Sequence, residues 1–442
     1  MATEVLHAVD DEVVEIARDL IRFDTSNYGK DADGPGENLA AEYVVDKLSE
    51  VGLDSEWVEP FPGRATVVAN WAPPGTDMSL KPLMIHVHTD VVPAAASDWT
   101  HPPFAAEVAD GCIWGRGAVD MKDMDAMVLS VVRARIRDGR APRRPIRLVF
   151  FADEEASGFK GSQWVAANRP DLLRDCEYAI SEVGGFSLTI RDDLRLYLVE
   201  SAEKGLLWLK LIADGTAGHG SMRNYDNAVT ELAAAVGRIG NYQWPTELHP
   251  AQEAFIRELE DSLGVPIEAS TVEATLSRLG GISRMIGACM SHTANPTRLD
   301  AGYMSNVIPS QATATIDTRF LPGKKDELLA KIRELAGEKV RVETISDCAS
   351  VETEFAGGLA DAMQAALIRE DPAAKAVPYM LSAGTDAKNF DPAWGIKCFG
   401  FCPLQLPPDL DFNALFHGVD ERIPIDSLKF GARVLDHFLD LA

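Results

Sequence analysis

The amino-acid sequence predicts an α/β protein that carries a smaller inserted α+β unit, and three observations lead to it. Short apolar runs that end in polar residues, LMIHVH at Leu83–His88 and IRLVFF at Ile146–Phe151, alternate with amphipathic helical stretches, as in a sheet covered by helices. From Leu198 onward the strands become alternating in polarity, as in GLLWLKLIADG and ATATIDTRF, which is the pattern of a sheet with one solvated face. At 442 residues the chain is longer than one core usually encloses. The expected organisation is one domain from 1–202 and 352–442, and an inserted unit at 203–351 containing a helical insertion at 244–295.

Taken in order, Asp10–Phe23 places Val13, Val14, Ile16, Ala17, Leu20 and Ile21 at helical spacing, and a second helix runs from Glu37 to Val51 and stops at Gly52. A strand at Ala65–Trp71 precedes a Pro-Pro-Gly turn and the run LMIHVHTDVVP. Side chains alternate along a strand, so His86, His88 and Asp90 share one face. A histidine with a carboxylate two residues on suits a metal site, although histidines also sit satisfied in cores. A loop then carries Asp120 between glycines and Lys122, where an aspartate could equally cap the following helix, Met124–Arg137.

The next strand ends in Asp153, Glu154 and Glu155. Three adjacent carboxylates after a buried strand repel one another unless a cation or a shared proton compensates. If Glu155 binds metal, Glu154 points elsewhere and is free to act as a general base. Tyr178–Ile180 delivers Glu182 ahead of Gly184 and Gly185.

In the inserted unit Gly205–Gly215, Ala312–Phe320 and VRVETIS read as strands, and Asn227–Ile239 and Lys325–Ala336 as helices. Together they make a two-layer unit with helices on one face. Leu359–Arg369 resumes as a helix, Gly395–Phe401 as a strand, and Asp426–Leu441 as a closing helix with His417 just before it.

A formal charge of -26 excludes nucleic acid and anionic membrane as expected partners, since both call for a basic face. No apolar run is long enough to span a bilayer, and the acidic N-terminus lacks the basic and apolar regions of a signal peptide. Six scattered cysteines without a CxxC pair fit reduced thiols, and a cytoplasmic location is expected.

The motifs HTDVVP (88–93), WxxxPF (99–104), GRGAVDMK (115–122), ADEE (152–155), GHGS (218–221), NVIP (306–309), DTRFLPG (317–323) and GTDA (384–387) occur in this order over nearly the whole chain. With His88, Asp120, Glu154, Glu155, Glu182 and His417, the chain resembles the M20 family of metallo-aminoacylases and metallopeptidases. The resemblance implies a mixed-sheet, metallo-exopeptidase-like catalytic domain with an inserted lid and dimerisation domain. It also implies two divalent metal ions, zinc foremost, with cobalt or manganese able to substitute.

In that scheme Asp120 bridges the ions, with His88 and Glu182 completing one site and Glu155 and His417 the other. Asp90 orients His88 and Glu154 is the general base. A cis peptide is expected after Asp120, and a homodimer in which His219 reaches the partner's site to stabilise the oxyanion. Asn306 and Arg319 correspond to residues near the substrate pocket, with capping or local pairing as their structural alternatives, and Gly384 and Thr385 form a turn offering backbone donors. The chain departs from the family pattern at His86 and Val87, at Ser181-Glu182-Val183, and at Ala383, and His86 is assigned a structural role.

The implied function is hydrolysis of the amide bond of a small carboxylate-bearing substrate, an N-acyl amino acid or short peptide, by a metal-activated water. The alternatives are a dipeptidase or carboxypeptidase rather than a deacylase, and a non-catalytic scaffold of the same fold. An amidohydrolase barrel is disfavoured because the alternating segment from Gly205 to Ser346 interrupts any series of eight βα units.

Overall fold

The computed structural model describes residues 2–29, 32, 34–264, 266–267, 286–390 and 392–442. A ten-stranded mixed sheet forms its centre. Strand Leu83–His88 lies between Ile146–Phe151 and Tyr178–Ser181 and is parallel to both, with His88 opposite Phe151 and Ile85 opposite Ile180. Strands Leu83–His88 and Ile146–Phe151 are buried throughout, so they read in sequence as continuous apolar runs rather than as alternating ones. Strand Lys397–Gly400 pairs in parallel with Tyr178–Ser181 and borders Leu194–Glu203 on its other side.

Helices Ala2–Arg22, Lys122–Arg137, Gly358–Glu370 and Ile425–Leu441 pack against one another as a layer on this sheet. Lys122–Arg137 is buried from Lys122 to Arg135, including the charged residues Lys122, Asp123, Asp125, Arg133 and Arg135. Arg135 is fully buried and donates to Asp436 Oδ1 at 2.8 Å and Asp440 Oδ1 at 2.5 Å, which ties this helix to the last one. A separate apolar cluster built on Val149, Phe151, Val165, Leu173 and Phe390 covers other side chains of the same strands.

The four antiparallel strands Thr293–Ala301, Gln311–Phe320, Gly205–Asp214 and Val340–Cys348 make a second sheet in that spatial order. Gln311–Phe320 alternates strictly between buried and half-exposed residues, and helices Ala228–Gly240 and Lys325–Ala336 cover its buried face through Leu232, Ile239, Leu328 and Ile332.

The span 244–295, expected to be helical, is helical at Pro250–Leu263, whereas Thr293–Asn295 already belongs to a strand and 268–285 lies outside the described residues. Phe255, Ile256 and Leu259 of that helix join the core of the large sheet rather than that of the four-stranded one. Strands Phe186–Arg191 and Ala374–Leu381, absent from the sequence reading, both pair with Leu194–Glu203. Among the described residues no helix is long and apolar enough to cross a membrane.

Candidate active site

Three adjacent strands of the large sheet, Ile146–Phe151, Leu83–His88 and Tyr178–Ser181, run parallel, so their carboxyl ends open at one edge. His88 ends the middle strand, Glu154 and Glu155 follow the first, and Glu182 follows the third. Asp120 enters from the loop before helix Lys122–Arg137, and His417 from the loop before the last strand and helix. The peptide bond between Asp120 and Met121 is cis. Asp153, Val183 and His417 all adopt left-handed φ values of 67°, 52° and 58°, so backbone normally avoided by side-chain-bearing residues concentrates at this edge.

The two oxygens of Asp120 face two different groups. Oδ1 lies 3.2 Å from His88 Nε2, which is itself 3.5 Å from Glu182 Oε2. Oδ2 lies 3.1 Å from His417 Nε2, which is 3.1 Å from Glu155 Oε2. Asp120, Glu155 and His417 can offer ligand atoms within 4.8 Å of one another, and so can His88, Glu154 and Glu182. His88 and Glu182 are buried, whereas the His417 side chain is 55% exposed, so the second group opens to solvent.

Burial pushes the Glu155 carboxyl up to about 8, helped by the charge of Asp120, and burial raises Glu182 well above the usual carboxylate range. Hydrogen bonding to Asp120 and Glu155 lifts His417 to about 11. Glu155 Oε1 is buried with no hydrogen-bond partner. Imidazole nitrogens and carboxylate oxygens without thiolate are the donor set for a divalent ion, so the residues present fit two such ions.

Asp90 is fully buried beneath this cluster. Its Oδ2 accepts from Asn27 Nδ2 at 2.8 Å and from the Glu155 backbone at 3.1 Å, and its Oδ1 accepts from the Glu154 backbone at 3.1 Å. His88 Nδ1 meets the Asp90 carbonyl at 3.0 Å and Oδ1 at 3.4 Å. Asp90 therefore holds the loop of two glutamates as well as the imidazole. His86 sits between the rings of Phe151 and Phe390, with centroids 6.0 and 5.2 Å away, and burial pushes it down to about 3, a neutral packed side chain.

Two residues at the site escaped the sequence reading. Glu421, fully buried, accepts from Arg116 Nη1 at 2.7 Å and from the backbone of Gly117, Val119 and Asp120 at 3.1, 2.8 and 3.2 Å. It fastens the Asp120 loop to the His417 loop. Lys388 Nζ lies 3.2 Å from Glu154 Oε1. The carboxylate in GVDER was the available signal for the first; an isolated lysine after GTDA gave little for the second.

A cavity of about 540 Å³ opens over the cluster, lined by Asp120, Glu154, Glu155, Glu182 and His417 and walled by Leu381, Ala383 and Phe416. Gly384 lines it. Thr385, expected to offer a donor, does not: its N–H and hydroxyl go to Glu203 at 3.0 and 2.6 Å, because that buried carboxylate needs both. His219, Asn306 and Arg319 are not among the cavity's lining residues. They lie on the four-stranded unit and its adjoining hairpin. His219 Nδ1 accepts from the Ser221 backbone at 3.2 Å, Gly220 donates to the Asn306 carbonyl at 2.8 Å, and Arg319 pairs with Asp317 at 2.7 Å.

The family model for peptidase family M20/M25/M40 matches residues 84–441. A carboxypeptidase S-like protein of Dictyostelium discoideum is 30% identical over 389 residues, 82% of this chain and 72% of its own. Aminoacylase-1 of Sus scrofa is 28% identical over 409 residues, 88% of this chain and 86% of its own. Among solved structures, a metallo-carboxypeptidase from Sulfolobus solfataricus superposes with a TM-score of 0.72 at 19% identity, covering 98% of this chain and 99% of that one. Human carnosine dipeptidase 1 gives 0.69 at 15% identity, covering 99% and 98%. At these identities the structural likeness establishes the fold, and the span matched by the family model does the rest: the chain belongs to peptidase family M20/M25/M40.

Proposed function

We propose that this chain is a metal-dependent hydrolase that cleaves the amide bond of small carboxylate-bearing substrates, N-acyl amino acids or short peptides. The observation that carries the reading is the division of Asp120 between two sets of donors, one oxygen toward His88 and Glu182 and the other toward Glu155 and His417. His88, Asp120 and Glu182 would hold one ion, and Asp120, Glu155 and His417 the other. Divalent ions held there, zinc, cobalt or manganese, would supply Lewis acidity to the scissile carbonyl and would acidify water.

The protein's own groups do the remaining work. Glu154, on the cavity wall, takes the proton of the attacking water and hands it to the departing amine. The apolar walls at Leu381, Ala383 and Phe416 exclude bulk water around the transfer. His219 Nδ1 accepts from the Ser221 backbone, which leaves Nε2 as the ring nitrogen that would donate to an oxyanion. Since His219 does not line the cavity of its own chain, this role calls for a homodimer in which it enters the partner's site, with Asn306 beside it. Arg319, paired with Asp317, would meet a substrate carboxylate by exchanging that partner. Cysteines that form no disulfide among the described residues support a cytoplasmic location.

The test is amino-acid release from a panel of N-acyl amino acids and dipeptides, with metal-loaded protein beside a chelated control. Release that depends on metal supports the hydrolase, and the half of the panel that is cut separates deacylase from dipeptidase. A protein with two ions bound that cuts no member overturns this substrate class.

A further inference from the structure

We propose that Lys388 is a positioning residue that engages one oxygen of Glu154, limits its use as an additional metal ligand and so preserves it for proton transfer; the inference rests on Glu154 being the proton-transfer group. The segment bearing Lys388 is a short turn, Asp386–Asn389, fastened at three points. Thr385 gives both its donors to buried Glu203. Asp386 accepts from the Ser162 hydroxyl. Asn389 Nδ2 donates to the Ser157 carbonyl at 3.2 Å and to Ser162 Oγ at 2.8 Å. Ser157 lies just beyond Glu154 and Glu155, so the lysine turn and the glutamate loop are bonded to each other, and the Nζ–Oε1 distance of 3.2 Å is built on a rigid base.

The lysine and glutamate side chains are 11% and 10% exposed. An exposed pair of this kind would contribute little, but a desolvated one leaves an uncompensated charge when either partner is removed. The freed carboxylate has somewhere to go. His88, Glu154 and Glu182 can already bring ligand atoms within 4.8 Å of one another, so Glu154 is a ready additional donor for an ion at His88 and Glu182. Lys388 occupies one of its oxygens and competes with that ion. The acidic groups around the ammonium, Glu154, Asp386 and Glu203, keep it charged and in place. Without the lysine, the chain would hold metal more tightly and hydrolyse more slowly.

The experiment compares Lys388→Met, Lys388→Arg, Glu154→Gln and the double variant Lys388→Met/Glu154→Gln. Metal affinity is measured by competition with a chromophoric chelator, and kcat and KM on the best member of the amide panel. The expected result for Lys388→Met is kcat reduced by at least about tenfold with KM nearly unchanged, and metal affinity raised by about tenfold, the scale on which groups around metal ligands act. Lys388→Arg should restore both, and the double variant should show no gain in affinity, since it lacks the carboxylate that supplies it. Unchanged kcat and affinity in Lys388→Met would overturn the proposal. So would a loss of affinity that arginine fails to restore, or a gain that persists in the double variant. Full turnover in Glu154→Gln would instead overturn the reading beneath it. If Lys388→Met does not fold, Lys388→Gln carries the same comparison.

Discussion

Replacing Asp90 by asparagine should loosen metal binding without touching a ligand. The carboxylate serves four donors: Asn27 Nδ2 and the Glu155 N–H at one oxygen, the Glu154 N–H and the His88 ring at the other. An amide keeps only one acceptor oxygen. Whichever way it turns, its NH2 group faces a backbone N–H of Glu154 or Glu155 that has lost its acceptor in a fully buried place. A buried unsatisfied donor costs about 1–3 kcal/mol. At 1.4 kcal/mol per tenfold, that is about 5- to 150-fold in affinity if the cost is borne by the metal-competent arrangement of the loop. Chelator competition on the apo-protein reads this directly, with turnover followed at limiting and at excess metal. Asp90→Asn should need more metal to reach half-maximal activity and should recover much of its turnover when metal is in excess. Wild-type affinity in this variant, or an activity loss unaffected by metal concentration, would refute the idea that Asp90 holds the glutamate loop.

Glu154→Gln should lose about 10²- to 10⁴-fold in kcat, the usual contribution of general acid–base catalysis, while metal analysis still finds two ions per chain. Arg135→Met strands Asp436 and Asp440 on the final helix and should cost about 3–5 kcal/mol in denaturant unfolding, since a buried pair is broken on one side. A loss below about 1 kcal/mol would show that Arg140, which also pairs with Asp436, suffices. Asp371 carries a pH dependence of determined sign. Burial would raise its carboxyl, but hydrogen bonds from Arg195 and Tyr197 outweigh it and hold the pKa below the ordinary value. The stability it supplies is therefore present above the unfolded pKa of about 3.9 and is lost as pH falls through the lower folded value. Acid unfolding should be less steep in Asp371→Asn than in the unmodified protein, and identical curves would contradict this.

The donors at the site were legible because each follows a local event in the sequence. His88 ends a fully buried strand and the two glutamates follow another, Glu182 precedes paired glycines, and Asp120 sits in a glycine-flanked loop. What spacing along the chain could not reveal is that the three strands are neighbours in the sheet, which register alone decides. Glu421 and Lys388 were hidden for a related reason. Their partners lie 305 and 234 residues away, and a charged residue on a loop reads as solvated until the fold buries it. Thr385 shows the reverse error. Its place in GTDA suggested a donor for substrate, and only the position of Glu203 shows where those hydrogen bonds go. Strand Ala374–Leu381 was obscured by Pro378, which breaks the usual strand signature yet is accommodated where this strand pairs with Leu194–Glu203.

The position of strand Lys397–Gly400, between Tyr178–Ser181 and Leu194–Glu203, sets an order on the protein's synthesis. A nascent chain that has emerged only as far as the four-stranded unit holds every strand of that unit, all of which lie between residues 205 and 348. Its large sheet, by contrast, still lacks the strand that joins its two halves, and His417 has not yet been made. During that interval Tyr178–Ser181 presents an open hydrogen-bonding edge, the kind of surface on which chains mispair. Ribosome-stalled chains ending before residue 397 should accordingly show a folded insert on an incomplete sheet, and the risk of aggregation should fall only as the last segment of the chain arrives.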